Sequence, residues 1–214
     1  MDYVTYVTST GGSLDMSAKT AVRVLKTGGY SGATFFTSGT TPVTIDTPTF
    51  EMNSGGSIAS SNGPLTLTAD NVYINATVRA SFNTLWLRPK TANRNITLGV
   101  DAAADAVTDP PTLSLSTVEI GKLDASGGTV RIGSSANTNG AVLSGTISIA
   151  SQIIRSGSAS LWLDSPVSIS QADGSAICNG KLKISSPAAV LNQRNGVCTD
   201  PVTKKLVGNA TGAT

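Results

Sequence analysis

The chain has 214 residues, of which 13% are charged, against about 25% in an average soluble protein. Its formal net charge is +2 and its basic residues are scattered, so it lacks the basic stripe typical of nucleic-acid-binding proteins. It has no histidine and only two cysteines, which excludes a Ser-His-Asp or Cys-His catalytic arrangement and leaves a tetrahedral zinc site short of ligands. We therefore expect no metal ion, no cofactor and no nucleic-acid partner.

The first part of the chain, residues 1–60, predicts irregular strands separated by glycine turns. Short segments rich in β-branched and aromatic residues are bounded there by Gly-Gly pairs, a pattern typical of strands that end at turns. The predicted strands are 3–8, 21–25, 34–36 and 43–45.

From residue 65 the chain repeats a short phrase in which apolar residues alternate with Ser, Thr or Gly. Successive residues of a strand point to opposite sides, so each phrase buries one side and exposes the other. The repeats step by about 16 to 20 residues, measured from 65 to 85, from 130 to 147, from 147 to 163 and from 163 to 182. Such variable steps are typical of a β-solenoid, in which turns tolerate insertions and the stacked core does not. The phrases are 65–69, 95–99, 112–116, 129–133, 146–150 and 181–185.

The repeats predict an all-β fold, an elongated right-handed parallel β-helix (β-solenoid). We divide the chain into irregular N-terminal rungs (1–60), regular repeats (61–190) and a C-terminal tail or cap (191–214). The one candidate helix, 101–107, is interpreted as an insertion loop between two turns of the coil. Asn-Gly and Asp-Gly dipeptides, which favour hairpins, keep a β-sandwich open as the alternative. The predicted interior consists of Leu67, Ile74, Leu87, Leu98, Leu115, Ile132, Ile149, Leu163, Ile169 and Ile184.

Two tryptophans are candidate ligand contacts. Trp86 and Trp162 each lie between two leucines, so the alternation that sends the leucines inward sends the indoles outward. An exposed indole can stack on a sugar ring or mark a protein contact. The alternative is that a neighbouring segment covers both rings.

The two cysteines are a candidate disulfide. Cys178 and Cys198 are 20 residues apart, about one turn of the predicted coil. Stacked on adjacent turns, they would meet the Cα separation of about 5.5 Å that a bridge requires. A bridge would imply an oxidising compartment, whereas two independent reduced cysteines are the alternative.

A β-helix can also carry a carbohydrate-cleaving site, which needs two carboxylates at a set separation. The acidic residues here do not recur at equivalent positions, since Asp164 follows its core strand where Arg88 follows the corresponding one. The pattern therefore favours solvated turns over a catalytic pair. The acids considered are Asp70, Glu119, Asp124, Asp164 and Asp173.

The order of phrases between about 65 and 170 resembles the repeats of filamentous-haemagglutinin-like exoproteins, bacterial adhesins exported by two-partner secretion. The resemblance rests on 65–71, 74–76, 87–89, 93–99, 113–116, 119–123 and 130–133. It implies rungs of a right-handed parallel β-helix. Since the chain has no Asn-Pro dipeptide, which the secretion domain of that family contains, we expect an interior or C-terminal stretch of such a protein.

The expected function is a non-catalytic structural or adhesive segment, extracellular or on the bacterial outer surface. The expected partner is a glycan or protein receptor on a host cell or other surface. No apolar run reaches the length of about 18 residues that a membrane-spanning helix needs. The alternatives are a carbohydrate-active β-helix enzyme (polysaccharide lyase or glycoside hydrolase) and a segment of a phage or virion fibre.

Overall fold

A computed structural model describes residues 6–9, 12–25, 34–100, 112–135, 142–155, 158–173, 175–179 and 181–191. Within these residues the chain makes seven coils, each of three short strands. The first three coils are β1 (Tyr6–Ser9), β2 (Leu14–Ser17) and β3 (Ala21–Val24), then β4 (Thr34–Thr37), β5 (Val43–Asp46) and β6 (Thr49–Met52), then β7 (Ser57–Ser60), β8 (Leu65–Thr68) and β9 (Asn71–Ile74).

The later coils follow the same order, with one insertion after the fourth. The fourth coil is β10 (Val78–Ala80), β11 (Thr84–Arg88) and β12 (Ile96–Leu98), followed by β13 (Leu113–Leu115) and the helix α1 (Thr117–Lys122). The last three coils are β14 (Leu123–Asp124), β15 (Thr129–Gly133) and β16 (Ile147–Ile149), then β17 (Ile153–Ile154), β18 (Ser160–Asp164) and β19 (Ile169–Gln171), then β20 (Ile177–Cys178), β21 (Leu182–Ser185) and β22 (Ala189–Val190).

Strands at the same position of successive coils pair in parallel and form three faces. The second face is one continuous ladder in the order β2-β5-β8-β11-β15-β18-β21, which we call the seven-stranded face. The first face has the ladder β1-β4-β7-β10-β14 and the separate pair β17-β20, and the third has β3-β6-β9 and β13-β12-β16-β19-β22. The predicted parallel β-helix is confirmed, and its ladders run across residue 60 without a break.

The predicted step between coils is wrong in part. Leu65 pairs with Leu85, which confirms the 20-residue step there, but Leu85 pairs next with Val130, 45 residues later. Val130 and Ile147, interpreted from the sequence as successive coils, lie on different faces, since Ile147 pairs with Ile96. Three similar strands make one coil, so spacing alone confuses a neighbouring face with the next coil.

The interior is made of stacked aliphatic columns. On the seven-stranded face, inward side chains at one register position follow one another from coil to coil, so each coil covers the apolar surface of the next. All ten predicted interior residues are buried, with Ile184 the most exposed at 9%. Six coil-to-coil intervals of about 4.8 Å give a stack about 30 Å high. One such column is Ile45, Leu67, Leu87, Ile132, Leu163 and Ile184.

The insertion after the fourth coil departs from the sequence prediction. β13 pairs with β12 and lies beside β9, so three strands of the third face stack out of chain order. Helix α1, which the sequence prediction missed, begins with a capping box in which Ser116 and Glu119 bond to each other's backbone. The candidate helix at 101–107 and the tail from 192 lie outside the described residues. In the described part of the chain, no helix has the length and hydropathy to cross a membrane.

Candidate functional site: a tryptophan and cation column

Trp86 and Trp162 project from the outer side of the seven-stranded face. Each is half-buried and lies between buried leucines, as strand alternation predicts. Both pair with Arg131, which places them in the same register position two coils apart. The outward residues at this position form what we call the outer column, which consists of Thr44, Thr66, Trp86, Arg131, Trp162 and Lys183.

Cations and indoles alternate along the second half of the outer column. The guanidinium carbon of Arg131 lies 4.2 Å from the ring centre of Trp86 and 4.1 Å from that of Trp162. Lys183 Nζ lies 3.8 Å from the ring centre of Trp162, on the next coil. Each distance is within the 6 Å range of a cation–π interaction, worth about 0.5–2 kcal/mol. Four successive coils are thus tied together through their outward side chains.

The central cation of this column is fixed by a buried carboxylate. Arg131 Nε donates to Asp164 Oδ2 at 2.9 Å, and Nη2 of the same guanidinium also donates to this oxygen. Asp164 is fully buried, while 15% of the Arg131 side chain is exposed. Asp164 Oδ2 further accepts from the Ser135 backbone N–H at 3.2 Å. Since the pair is largely removed from water, it holds the guanidinium between the two rings.

Both indoles are also held at their edges. Trp86 Nε1 donates to the Gly133 carbonyl at 2.7 Å, and Trp162 Nε1 donates to Ser185 Oγ at 3.0 Å. In the column, Trp162 has a cation on each neighbouring coil, and Trp86 has Arg131 on one neighbouring coil and Arg88, at 4.5 Å, on its own strand. A sugar ring that stacked on these indole faces would have to displace a cation. The indole faces are therefore covered by the cations of the outer column. A ligand on this surface would contact the tryptophans at their ring edges.

A groove opens on the N-terminal side of Trp86, where the outer column changes from a large side chain to small ones. Thr66 and Thr44 occupy the next two coils, so the surface drops from the indole to two threonines. The groove has a volume of about 330 Å³. Its lining residues are Thr44, Pro64, Thr66, Thr84, Trp86 and Arg88.

A second cavity, of about 230 Å³, lies where the first face is interrupted between β14 and β17. Arg155 and Asp124 both line it, so its charges are of opposite sign. Burial lowers the pKa of Arg155, while Asp124 acts in the opposite direction. Arg155 Nη2 donates to the Leu123 carbonyl at 2.6 Å, so this guanidinium bridges the gap between the strands.

The acidic residues considered from the sequence are engaged in the scaffold. Glu119 Oε1 accepts from the Ile74 N–H at 3.1 Å, which attaches helix α1 to β9. Asp70 accepts from Thr91 Oγ1 at 2.6 Å and from the Thr91 and Lys90 N–H groups, so it closes a turn. Asp124 pairs with Arg79 at 3.2 Å, and Asp173 is exposed at a turn. Among the described residues, no group of three His, Cys, Asp or Glu side chains is arranged to hold a metal ion.

The structure describes the predicted disulfide at one end only. Cys178 is buried and disulfide-bonded. Cys198 lies outside the described residues, so the pairing of these two cysteines stays a prediction.

Sequence reasoning did not single out Arg131, although the signal for it was present. The phrase that contains Val130, Arg131 and Ile132 has the same alternation as the two Leu-Trp-Leu phrases, with arginine in the place of tryptophan. Aligning the three phrases by coil would have placed a guanidinium between two indoles. Arg88 and Asp164 are each the last residue of their strand, the equivalent positions that the sequence predicts.

Comparison of the chain with protein-family models, with curated proteins and with solved structures finds no match.

Proposed function

We propose that this chain is a non-catalytic structural and adhesive segment of a filamentous-haemagglutinin-like exoprotein, extracellular or on a bacterial surface. It binds a glycan or protein receptor through the outer side of the seven-stranded face. The observation that carries the proposal is the outer column, in which Arg131 lies between Trp86 and Trp162. Aromatic and arginine side chains are the residues that most often dominate binding surfaces.

The rigidity of this face supports a binding role. All seven strands pair in parallel over a continuous apolar core, and the side chains of the outer column are fixed by cation–π contacts, hydrogen bonds and a buried ion pair. A surface whose side chains are already ordered loses little conformational entropy on binding. The disulfide at Cys178 supports an oxidising compartment and therefore export.

The state of the carboxylates supports a role without catalysis. A general acid and a general base or nucleophile must reach the substrate from two positioned carboxyl groups. Asp164 is fully buried beneath Arg131, Glu119 caps a helix, and Asp70 closes a turn. These carboxylates accept hydrogen bonds from groups of the protein itself, namely backbone N–H groups, hydroxyl groups and the Arg131 guanidinium.

The proposal is tested by binding to a panel of immobilised neutral and acidic polysaccharides and to intact epithelial cells. We expect saturable binding by the wild type and loss of binding when Thr66→Arg and Ser160→Arg together obstruct the seven-stranded face. The matched control places arginines on the outer side of the third face, Ser148→Arg with Ser170→Arg, and we expect it to bind as the wild type does. Circular dichroism and the unfolding midpoint establish that both double variants are folded.

Three results would overturn the proposal. One is the absence of binding to every surface, and another is equal loss of binding in the two double variants. The third is the release of new reducing ends or unsaturated sugars from a bound polysaccharide, which would identify a carbohydrate-active enzyme.

A further inference from the structure

The groove beside Trp86 has an ordered polar lining. Thr44 and Thr66 are paired neighbours in the outer column, and Thr84 lies two residues before Trp86 on the same side of β11. These three half-buried threonines line a volume of about 330 Å³, which is within the range of small-molecule sites. The indole and Arg88 complete the lining at one end.

Arg88 is the charged residue of this groove. Its side chain is held by a hydrogen bond from Nε to Thr68 Oγ1 at 2.9 Å and by the contact with the Trp86 ring. The residue is 9% exposed, yet neither terminal nitrogen donates to an acceptor among the described residues, and Nη1 is fully buried without a partner. A guanidinium that is buried and held in place but lacks an acceptor has unused capacity to bind an anion.

The charges around Arg88 leave it without an ion pair in the described part of the chain. Asp46 accepts from Lys90 Nζ at 2.5 Å, and Asp164 is taken by Arg131. Burial lowers the pKa of Arg88, Asp46 raises it and Arg131 lowers it again, so the positive charge is only partly compensated. At the opposite end, beyond Thr44, the exposed residue Asp15 continues the column. The groove therefore has a positive end at Arg88 and a negative group beyond its threonine end.

We propose that this groove binds a carboxylate-bearing sugar unit of an acidic glycan, with the carboxylate at Arg88 and the sugar hydroxyls over the threonines. This inference rests on the proposed adhesive function and names the receptor chemistry of its face. A carboxylate accepts a charge-assisted hydrogen bond from a guanidinium, here from Nη2, since Nε is taken by Thr68 and Nη1 is buried. Threonine hydroxyls both donate to and accept from sugar hydroxyls. The polarity set by Asp15 orients the acidic group toward Arg88.

The main chain of the groove favours a glycan over an acidic peptide. An extended peptide is usually recognised through backbone hydrogen bonds at a free strand edge. Here β8 is paired on one side with β5 and on the other with β11, so its backbone N–H and C=O groups are used within the ladder. The remaining donors and acceptors are side-chain hydroxyls and the guanidinium, which suit a polyhydroxylated ligand.

The test uses isothermal titration calorimetry of the full chain with three probes, namely a galacturonic acid trisaccharide, its methyl ester and a capped tri-glutamate peptide. We expect saturable binding of the acid and binding of the uncharged ester weakened by about 10-fold or more, since a charge-assisted hydrogen bond is lost. Arg88→Gln should weaken binding of the acid by a similar factor and leave binding of the ester unchanged. Thr97→Val, on the outer side of the third face, is the matched control and should bind the acid as the wild type does.

Thr44→Val with Thr66→Val provides a second measurement that does not depend on the buried arginine. Both changes keep a β-branched side chain and remove the hydroxyl, and we expect several-fold weaker binding of acid and ester alike. Equal binding of acid and ester, or unchanged binding in both the Arg88 and the threonine variants, would overturn the groove while leaving the adhesive function to its own test. Tighter binding of the tri-glutamate peptide than of the acidic trisaccharide would identify the ligand as an acidic protein segment and would overturn the glycan proposal.

Discussion

The Asp164 carboxylate, which is fully buried, accepts a hydrogen bond at 2.9 Å from Nε of Arg131 on the preceding coil. The same Arg131 guanidinium lies between the rings of Trp86 and Trp162. A buried carboxylate from one coil therefore fixes the outer surface of two others. The interior and the exposed face of this β-helix are coupled through that one pair.

Replacing Asp164 by Asn should destabilise the protein strongly. The substitution keeps the shape and removes the charge, so Arg131 is left largely buried without a counter-ion, at a cost of about 3–5 kcal/mol in the free energy of unfolding. Urea unfolding followed by tryptophan fluorescence measures the change and reports the indole environment at once. We also expect the fluorescence of the folded state to shift, because the cation between the rings is no longer fixed.

The matched control is Glu51→Gln. Glu51 pairs with Arg23 at 2.8 Å, but 60% of the Arg23 side chain and 33% of the Glu51 side chain are exposed. Such a pair is worth about 0–1 kcal/mol, since water solvates both charges. Similar losses of unfolding free energy in the two variants would contradict the assignment of Asp164 as the anchor of the outer column.

Gly133→Ala should also destabilise the protein, because this position combines an unusual backbone conformation with a close approach. Gly133 has φ +90°, and a Cβ atom there would lie 2.3 Å from the Asp164 carbonyl oxygen. The strain in such a φ region costs about 1–3 kcal/mol, to which the clash adds. The shift would also disturb the carbonyl that accepts from Trp86 Nε1.

Gly121→Ala is the control for that substitution. Gly121 lies in helix α1, and among the described residues no neighbouring atom is within 4 Å of the position that an alanine methyl group would occupy. Alanine is favoured over glycine in a helix by about 0.5–1 kcal/mol, so this variant should be slightly more stable than the wild type. Thermal or urea unfolding of both variants checks the opposite signs, and a neutral Gly133→Ala would refute the close approach.

The sequence predicts the inward and outward sides of the strands well, because alternation is a local property. Ile132 and Leu163 are buried and Trp162 points outward, as the period of two requires. It does not predict which strands stack, because pairing depends on how many residues each turn and insertion contains. For that reason the pairing of Leu85 with Val130 is not predicted from the sequence and is seen only in the structure.

The same contrast holds for the candidate site: features of a single strand could be predicted from the sequence, and features that depend on strand pairing could not. The exposure of Trp86 follows from its own strand, whereas its contact with Arg131 depends on the 45-residue step between the two coils. The role of Glu119 was open to local reasoning, since the capping box with Ser116 is visible in the sequence. The groove was not, because it arises from a change in side-chain size between paired coils at Thr66 and Trp86.

Ile149→Asp should prevent folding, whereas Ser148→Asp should be tolerated. Ile149 is 1% exposed and lies inside the stack, so an aspartate there would bury an unpaired charge. Ser148 is its neighbour on the outer side of the same strand, where a carboxylate stays hydrated. We expect the inward variant to lose its cooperative unfolding transition and the outward variant to change by about 0.5 kcal/mol or less. Circular dichroism during urea titration distinguishes them, and equal effects would contradict the predicted alternation.

The stability of this protein should be nearly independent of pH between about 6 and 8, the range in which histidine changes its charge. The chain has no histidine. Burial lowers the pKa of Arg88 and of Arg155, so the unfolded state holds these protons more tightly, and this contribution would favour folding only as pH rises into the range where arginine loses its proton. Since arginine stays protonated near neutrality, the free energy of unfolding should be flat there.

Lys183→His introduces a group that titrates in this pH range, and the pH dependence of its stability therefore tests the outer column. The new imidazolium would lie beside the Trp162 ring, whose centre is 3.8 Å from Lys183 Nζ in the wild type. The ring favours the charged form, so the folded-state pKa of this histidine should be above its unfolded value of about 6.5. The added stability is then fully present below the unfolded pKa and is lost as pH rises through the folded pKa. We expect the variant to be about 0.5–1 kcal/mol more stable at pH 5 than at pH 8, relative to the wild type. If the free energy of unfolding of the variant changed between pH 5 and pH 8 no more than that of the wild type, position 183 would not act on the ring of Trp162.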